Sequence, residues 1–573
     1  MTVARRLLVL VAFTVLPAVG SFASAPNIYI TQSGSASGNC TTNVQTPAFF
    51  NNPSNWGGGA NQIGPGTAVL LCGTLTFPAG TSGLIAQGSG ASGNVITIQF
   101  DTGAIVQSPA FAGAWDDANG GIVLNGVSYI TVDGEGTGTL QNTLAGSPGI
   151  TCPGGACTYQ QSSYGIKIRA ASNITIQNLT ITNIYNQCGA SSSCGDSGGQ
   201  DTADIGIDEA STSTASSNIL IYNNYLYKSS SGFGGTFTSG NMSGLEIKNN
   251  TFNDHNWQMS LQAGGSVTTS GILIHNNDIS NFNDWGYPSG TFHQDGIITL
   301  QASTSGPTWA PQIYNNYFHG GLGNGPEATA YLYCTAPEST GTFSESCTIY
   351  NNVFSFPNGT SNTAIWFGQA GGGSVVTGPH YVYNNTFVGP TCSGAGGYGM
   401  VFSPSIGQVY FENNIMYNFG VQITSYASTT SAFAAQIALS NYNVWNTTCS
   451  PGWNYNFGGS GGSLSYAQWQ ALGFDANSST ASPNLSSQYT PGTGSSAIAL
   501  GTNLTSLGLT NLDTSAPQTF GVAGVCGSGC VQRPATSSVA WGAGAYAYTT
   551  SAQNPPPPSG SPNPPTDLSA IVH

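Results

Sequence analysis

Charge is what this chain has least of. Only 5% of its 573 residues are Asp, Glu, Lys or Arg, against about 25% in an ordinary globular protein. Positive charge is scarcest: beyond Arg5 and Arg6 only Lys167, Arg169, Lys228, Lys248 and Arg533 remain. With a net charge of −15, the chain has no basic surface for nucleic acid, which excludes that partner. A polyanionic glycan would need a bridging cation such as Ca²⁺. CxxC is also missing, and the cysteines do not group with histidines, so a zinc site is a poor reading. After the first 23 residues there is no apolar run of about 20, so nothing further reads as a membrane span. Low charge can signal disorder, but 11% aromatic residues and regular Val/Ile pairs argue for a packed core.

The first 23 residues read as a secretory signal peptide: Arg5-Arg6, an apolar run from Leu7 to Val19, then small residues at Ser21-Phe22-Ala23 or Ala23-Ser24-Ala25. The expected location is secreted, extracellular or at the cell surface. Twelve cysteines in an exported chain suggest disulfides. Sequence does not fix their connectivity. The economical pairing is local: Cys40–Cys72, Cys152–Cys157, Cys188–Cys194, Cys334–Cys347, Cys392–Cys449 and Cys526–Cys530.

What the chain does have is a repeat. A β-branched pair at alternating positions, then asparagine, then another apolar residue, recurs from Asn173-Ile174-Thr175-Ile176-Gln177-Asn178-Leu179 onward. Ile219-Leu220-Ile221-Tyr222-Asn223-Asn224, Leu245-Glu246-Ile247-Lys248-Asn249-Asn250 and Ile272-Leu273-Ile274-His275-Asn276-Asn277 follow, and shorter forms end at Asn316, Asn352, Asn385 and Asn414. Alternation makes each unit strand. One unit cannot bury its own apolar face, so units must stack. Asparagine suits the turn because it tolerates left-handed backbone, and stacked amides can bond from rung to rung as an internal ladder. Uneven spacing marks inserted loops, the largest at 183–203. The expected organisation is signal peptide 1–23, N-terminal cap 24–94, coil stack 95–450, C-terminal capping segment 451–549, Pro-rich linker 550–565 and a short tail 566–573.

Over roughly 67–450 this pattern resembles the right-handed parallel β-helix family, the pectin-lyase-like fold. The resemblance implies an all-β, single-stranded right-handed solenoid of about ten coils with both ends capped. Ser465-Tyr466-Ala467-Gln468-Trp469-Gln470, Ser496-Ala497-Ile498-Ala499-Leu500-Gly501 and Trp541-Gly542-Ala543-Gly544-Ala545-Tyr546 are similar to the closing segment of secreted bacterial β-helix proteins. That segment usually carries Asp where this chain has Ala499.

The scarce ionisable groups are clustered. Asp196, Asp201, Asp204, Asp208, Glu209, Glu246, Asp254, Asp278, Asp284 and Asp295 all fall within 196–295, and four of the six histidines within 255–319. Solvated loops would also gather acidic residues. With the asparagine pairs as a ruler, Asn256 is expected below Asp295 and Asp254 below His293. Asp254 and Asp295 are then one rung and two residues apart, roughly 8 Å. That lies in the range of about 6.5–9.5 Å for the two carboxyls of an inverting glycosidase. Asp295 and Asp254 are thus the candidate acid/base pair, with His293 or His255 tuning them; Asp295 as a simple turn cap stays open. His293-Gln294-Asp295-Gly296 resembles, in position, the Asn-x-Asp-Gly motif of β-helical polygalacturonases. The adjacent Asp pair and Gly-His-Gly motif of that family have no counterpart, so that activity is not carried over. Asp201, Asp204, Asp208 and Glu209 are a candidate Ca²⁺ set, with Lys228 or Lys248 nearest as the base of a lyase. Trp257, Trp285, Tyr331, Tyr333 and Trp366, with Lys228, are candidate sugar contacts, or, for the aromatics, core. His319 and His380 read as structural. The expected function is a secreted inverting polysaccharide hydrolase; the alternatives are a Ca²⁺-dependent polysaccharide lyase and a non-catalytic glycan-binding adhesin or surface protein.

Overall fold

The computed structural model describes residues 27–113, 117–144, 163–184, 202–209, 214–237, 241–263, 268–282, 294–301, 310–322, 330–335, 341–357, 363–368, 374–390, 397–446, 452–455, 461–509, 511–512, 533 and 541–546. The signal peptide, the linker, the tail, Asp201, His293 and Trp285 lie outside these residues.

Each coil contributes three strands. The one preceding the asparagine pair joins a 14-stranded parallel sheet, in which Ser217–Tyr222, Asn241–Lys248, Thr268–His275, Gln312–Tyr314, Thr348–Tyr350, His380–Tyr383 and Val409–Glu412 follow one another. The other two strands belong to a 23-stranded sheet. They count as one sheet because Tyr225–Phe237 and Thr251–Ala263 run unbroken through the bend between them. The β-branched pairs stack in register: Ile221, Ile247, Ile274, Ile313, Ile349 and Val382 form one column, each fully buried and contributing about 1.5–3 kcal/mol by burial. Phenylalanines stack likewise, Phe318 on Phe354 at 4.6 Å and Phe354 on Phe387 at 4.9 Å. The stack begins earlier than residue 95: Ile28–Ile30 already pairs with Ala68–Leu71, and Ala68–Leu71 with Ile96–Phe100.

The asparagine corner is built as the repeat suggested. The first residue of each pair, from Asn223 (φ 55°) through Asn276 (56°) and Asn351 (56°) to Asn413 (59°), is left-handed. The second forms a buried ladder: Nδ2 of Asn224, Asn250, Asn277, Asn316, Asn352, Asn385 and Asn414 donates to Oδ1 of the next asparagine at 2.9–3.3 Å, ending on Asn443. Asn443 in turn donates to Asp475 Oδ1 at 3.0 Å, so a carboxylate closes the ladder. Trp469 of the helix Tyr466–Ala471 donates Nε1 to the same carboxylate and covers the last coil by stacking on Trp453. Among the described residues, the later part of the closing segment lies along the side of the stack. It runs back along the 14-stranded sheet, where Leu504, Leu512 and Trp541 cover Tyr314, Tyr350 and Tyr383, and buried Arg533 bonds to Asn351 Oδ1, Leu512 O and Gly544 O. Two expected disulfides, Cys40–Cys72 and Cys334–Cys347, are present; the other four pairs lie outside the described residues. Among the described residues no helix is long and apolar enough to cross a membrane.

Candidate functional site

A second bend, between the second and third strands of each coil, decides where the ionisable groups point. The ladder there pairs Ser231 with Trp257 and Phe233 with Met259, then Trp257 with Asp295 and Met259 with Ile297, leaving out the residue between. At that position two successive residues face inward. Tyr331 and Leu332 both lie in the core, as do Gln258 and Met259 or Asp204 and Ile205, all fully buried. This is a kink repeated in register from coil to coil. It sends Asp204 and Gln258 into the barrel and Ser231, Trp257 and Asp295 out of it.

Inside, Asp204 accepts from Ser229 Oγ and lies 3.0 Å from His255 Nε2, while His255 Nδ1 faces Gln258 Oε1. Gln258 Nε2 donates to the carbonyls of Ser280 and Asn281, so its oxygen must face the ring. Both imidazole nitrogens therefore meet oxygen. Burial pushes Asp204 up to about 6, against the bonds from His255 and Ser229. All of this is sealed from solvent. His255 cannot tune an open active site, and Asp204 cannot share a surface ion with Asp208.

The register also moves Asp254. Trp257, not Asn256, sits below Asp295. Asp254 is then one rung and three residues away, roughly 11 Å rather than 8, at a left-handed corner of φ 65°. Asp295 is fully buried and accepts the Ala330 N–H at 3.0 Å through Oδ1. The register therefore removes the one-rung, two-residue offset on which the inverting pair was expected.

The outer face of the third strands gathers more of the expected residues. One column runs Lys167, Gly206, Gly234, Ser260, Ile298, Tyr333, Trp366. At its start Lys167 donates to Asp208 Oδ2 at 2.9 Å, with both side chains almost wholly buried, and its ammonium lies 3.7 Å from the Tyr164 ring centroid. Burial holds the Lys167 ammonium below its usual range, opposed by Asp208. The Tyr164 ring fills the space over Gly206, where a Cβ would come within 2.3 Å of it. Over Gly234 a Cβ would meet Ala203 at 3.4 Å, an ordinary contact, so the position is less crowded than Gly206. At the far end Tyr333 and Trp366 lie 5.5 Å apart, with Tyr426 beyond. Trp257 and Asp295 flank this column; Tyr331, by contrast, is core and packs against Phe356.

Among the described residues, Asp204, Asp208 and Glu209 do not assemble as one cation site; Asp201 lies outside them. Asp204 faces inward, Asp208 is paired with Lys167, and Glu209 accepts the Ser216 N–H and is pushed up to about 7 by burial. Lys228 is exposed on the second strands, with Nζ 5.8 Å from the Tyr227 centroid.

Two clusters escaped the sequence reading. Glu246 Oε1 bridges Lys248 Nζ and His275 Nε2, each at 2.9 Å. Burial pushes this carboxyl up, but the two bonds outweigh it and hold it below the usual range. Asp278 pairs with His319 at 2.8 Å, so His319 is not merely structural filler. The first cluster was within reach: Lys248 and His275 each directly precede an asparagine pair, which stacks them.

No protein-family model and no curated protein matches this sequence. Among solved structures, the Streptococcus pneumoniae surface protein and adhesin PfbA aligns at 15% identity, covering 62% of this chain and 91% of its own, with a TM-score of 0.35. Pectate lyase Pel9A aligns at 13% identity, covering 74% and 81%, with a TM-score of 0.35. DFA-IIIase from Arthrobacter chlorophenolicus A6 aligns at 11%, covering 65% and 78%, with a TM-score of 0.31. These likenesses are distant, and the architecture rests on the strand register of the chain itself. The protein is an all-β parallel β-helix.

Proposed function

We propose that this is an exported protein that binds a polysaccharide along the outer face of its third strands and hydrolyses it; Asp295, buried beside that face, is the candidate proton-transferring carboxyl. The observation that carries the reading is the stacking of Trp257 directly below Asp295, beside a column from Lys167 to Trp366. That column spans six rungs, roughly 29 Å, the length of several sugar units. Trp257 and Trp366, both partly exposed, offer ring faces to sugars, and Ser260 and Gln262, also partly exposed on the same face, offer hydrogen bonds. Because Lys167 is committed to Asp208, the face offers little positive charge, which favours an uncharged polymer.

One observation favours a second reading. A lysine held below its usual range by burial is the kind of base a polysaccharide lyase needs, with Ca²⁺ supplying the charge that would hold an acidic sugar. The test is incubation with neutral and acidic polysaccharides, reading new reducing ends, ultraviolet absorbance of unsaturated products, and the effect of a chelator. Reducing ends without unsaturation, falling at least about 100-fold in Asp295→Asn, support the hydrolase. Unsaturated, chelator-sensitive products support the lyase. Retention without turnover leaves a glycan-binding adhesin. An Asp295→Asn chain as active as the parent removes Asp295 from the chemistry.

A further inference from the structure

The outer face of the second strands lies across the bend from Asp295 and plays no part in the function above. Tyr225 is 39% exposed there, and its ring stacks on Tyr227 with centroids 4.8 Å apart. One rung on, Asn253 Nδ2 donates to Tyr225 Oη at 3.4 Å; a rung further, Asn281 Nδ2 donates to Asn253 Oδ1 at 3.0 Å. Asp278, paired with His319, borders the patch, and the His319 ring stacks on Tyr317 at 4.1 Å. Lys228 and Asp254 sit at its edge on neighbouring rungs.

The backbone marks the same place. The corner column reads Asn183 (φ 61°), Lys228 (57°), Asp254 (65°), Asn281 (51°) and Gly320 (77°). Glycine, asparagine and aspartate adopt this conformation most readily; lysine does so at a cost. The coils of Lys228 and Asp254 are also the ones whose strands, Tyr225–Phe237 and Thr251–Ala263, run through the bend without an insertion. A strained lysine is thus kept beside an exposed tyrosine, the pattern of a binding surface rather than of a turn optimised for stability.

We infer that this face is a second glycan-binding site, separate from the one holding Asp295, for an uncharged sugar chain. A pyranose ring lies on Tyr225; Asn253, Asn281, Asp254 and Lys228 bond its hydroxyls. The opposite charges of Lys228 and Asp254 cancel, so the site has no preference for an acidic polymer. The inference rests on the polysaccharide reading for its ligand class, but not on turnover.

The test is therefore retention in the Asp295→Asn background, measured by affinity electrophoresis in gels containing xylan, β-glucan or galactomannan, with polygalacturonate as the charged control. Adding Tyr225→Ala is expected to weaken retention by a neutral polymer about tenfold, and adding Asn253→Ala to weaken it less. Thermal melting of each variant confirms the fold. Retention undiminished by either change, retention by polygalacturonate alone, or no retention of the Asp295→Asn chain at all overturns the site. Tyr225-dependent retention by a parent chain that cleaves nothing overturns the hydrolase and leaves this inference standing.

Discussion

Each coil turns sharply twice within a dozen residues, and the two corners are built in opposite ways. At the asparagine corner from Asn223-Asn224 to Asn413-Asn414, every coil uses the same two residues, the same left-handed backbone and the same buried amide. At the second corner the left-handed residue changes from coil to coil through Asn183, Lys228, Asp254, Asn281 and Gly320, and insertions of different lengths enter. A uniform corner lets hydrogen bonds propagate along the stack, so substitution anywhere breaks a chain of contacts. A variable corner carries no such chain and can spend its side chains on ligands. The lesson is positional: in this molecule regularity marks the spine, and irregularity marks the faces available for recognition.

The largest expected effect breaks the spine. Asn316 accepts from the Asn277 N–H and Nδ2 at 3.0 and 2.9 Å and donates to Ile274 O and Asn352 Oδ1 at 2.9 and 3.0 Å. Asn316→Ala leaves those buried partners unmet and is expected to cost on the order of 3–5 kcal/mol, since each unsatisfied buried group costs about 1–3. Denaturant unfolding measures it. A loss below about 1 kcal/mol would mean that the ladder is ornament and the aliphatic column holds the coils alone.

A smaller effect tests the strand that leads into the same corner. Glu412 directly precedes Asn413 and is only 9% exposed, and burial pushes its carboxyl up to about 7 from 4.5. A raised folded value means the folded chain holds this proton more tightly than the unfolded chain. The contribution is therefore intact below about pH 4.5 and is lost as pH rises through about 7. Glu412→Gln is expected to remove that pH dependence and to stabilise the chain above neutrality by no more than about 3 kcal/mol. Denaturation midpoints at about pH 4.5 and about pH 8 decide it; a variant with the slope of the parent over this window would assign the slope to other carboxyls.

The same contrast explains what could be read in advance. The asparagine corner was legible because its geometry demands one residue type, and its spacing placed the strands, the left-handed turns and the ladder. Counting onward from it through the second corner slipped by one residue, which put Asn256 where Trp257 stands below Asp295. The cause is the insertion ahead of Asp295: matching the look-alike segments set Gln262 against Gln301, whereas the ladder pairs Ala263 with Gln301; alternation also fails at this bend, where Asp204-Ile205 and Gln258-Met259 both turn inward, and no sequence signal announces it. His255 could not be recognised as an interior residue for the same reason. Lys248 over His275 needed no passage through the bend, and the ruler already stacked them.

The smallest effect separates the two corners most directly. Lys228 holds a left-handed backbone at φ 57° where Asn183 and Asn281 hold it elsewhere in the column. Lys228→Asn keeps the conformation and gives it to a residue that tolerates it, so the folded chain is expected to gain about 0.5–1 kcal/mol. At the asparagine corner the reverse exchange, Asn276→Lys, should lose a similar amount. If Lys228 is kept for recognition, the stabilised variant is also the weaker binder of neutral polysaccharide, by a few-fold. Paired unfolding and affinity measurements on the one variant read both quantities. A gain in stability with undiminished binding would show that lysine stands at this corner for reasons unrelated to the glycan; a loss of stability would show that its stem, lying against Tyr227, contributes more to the fold than its backbone strain removes.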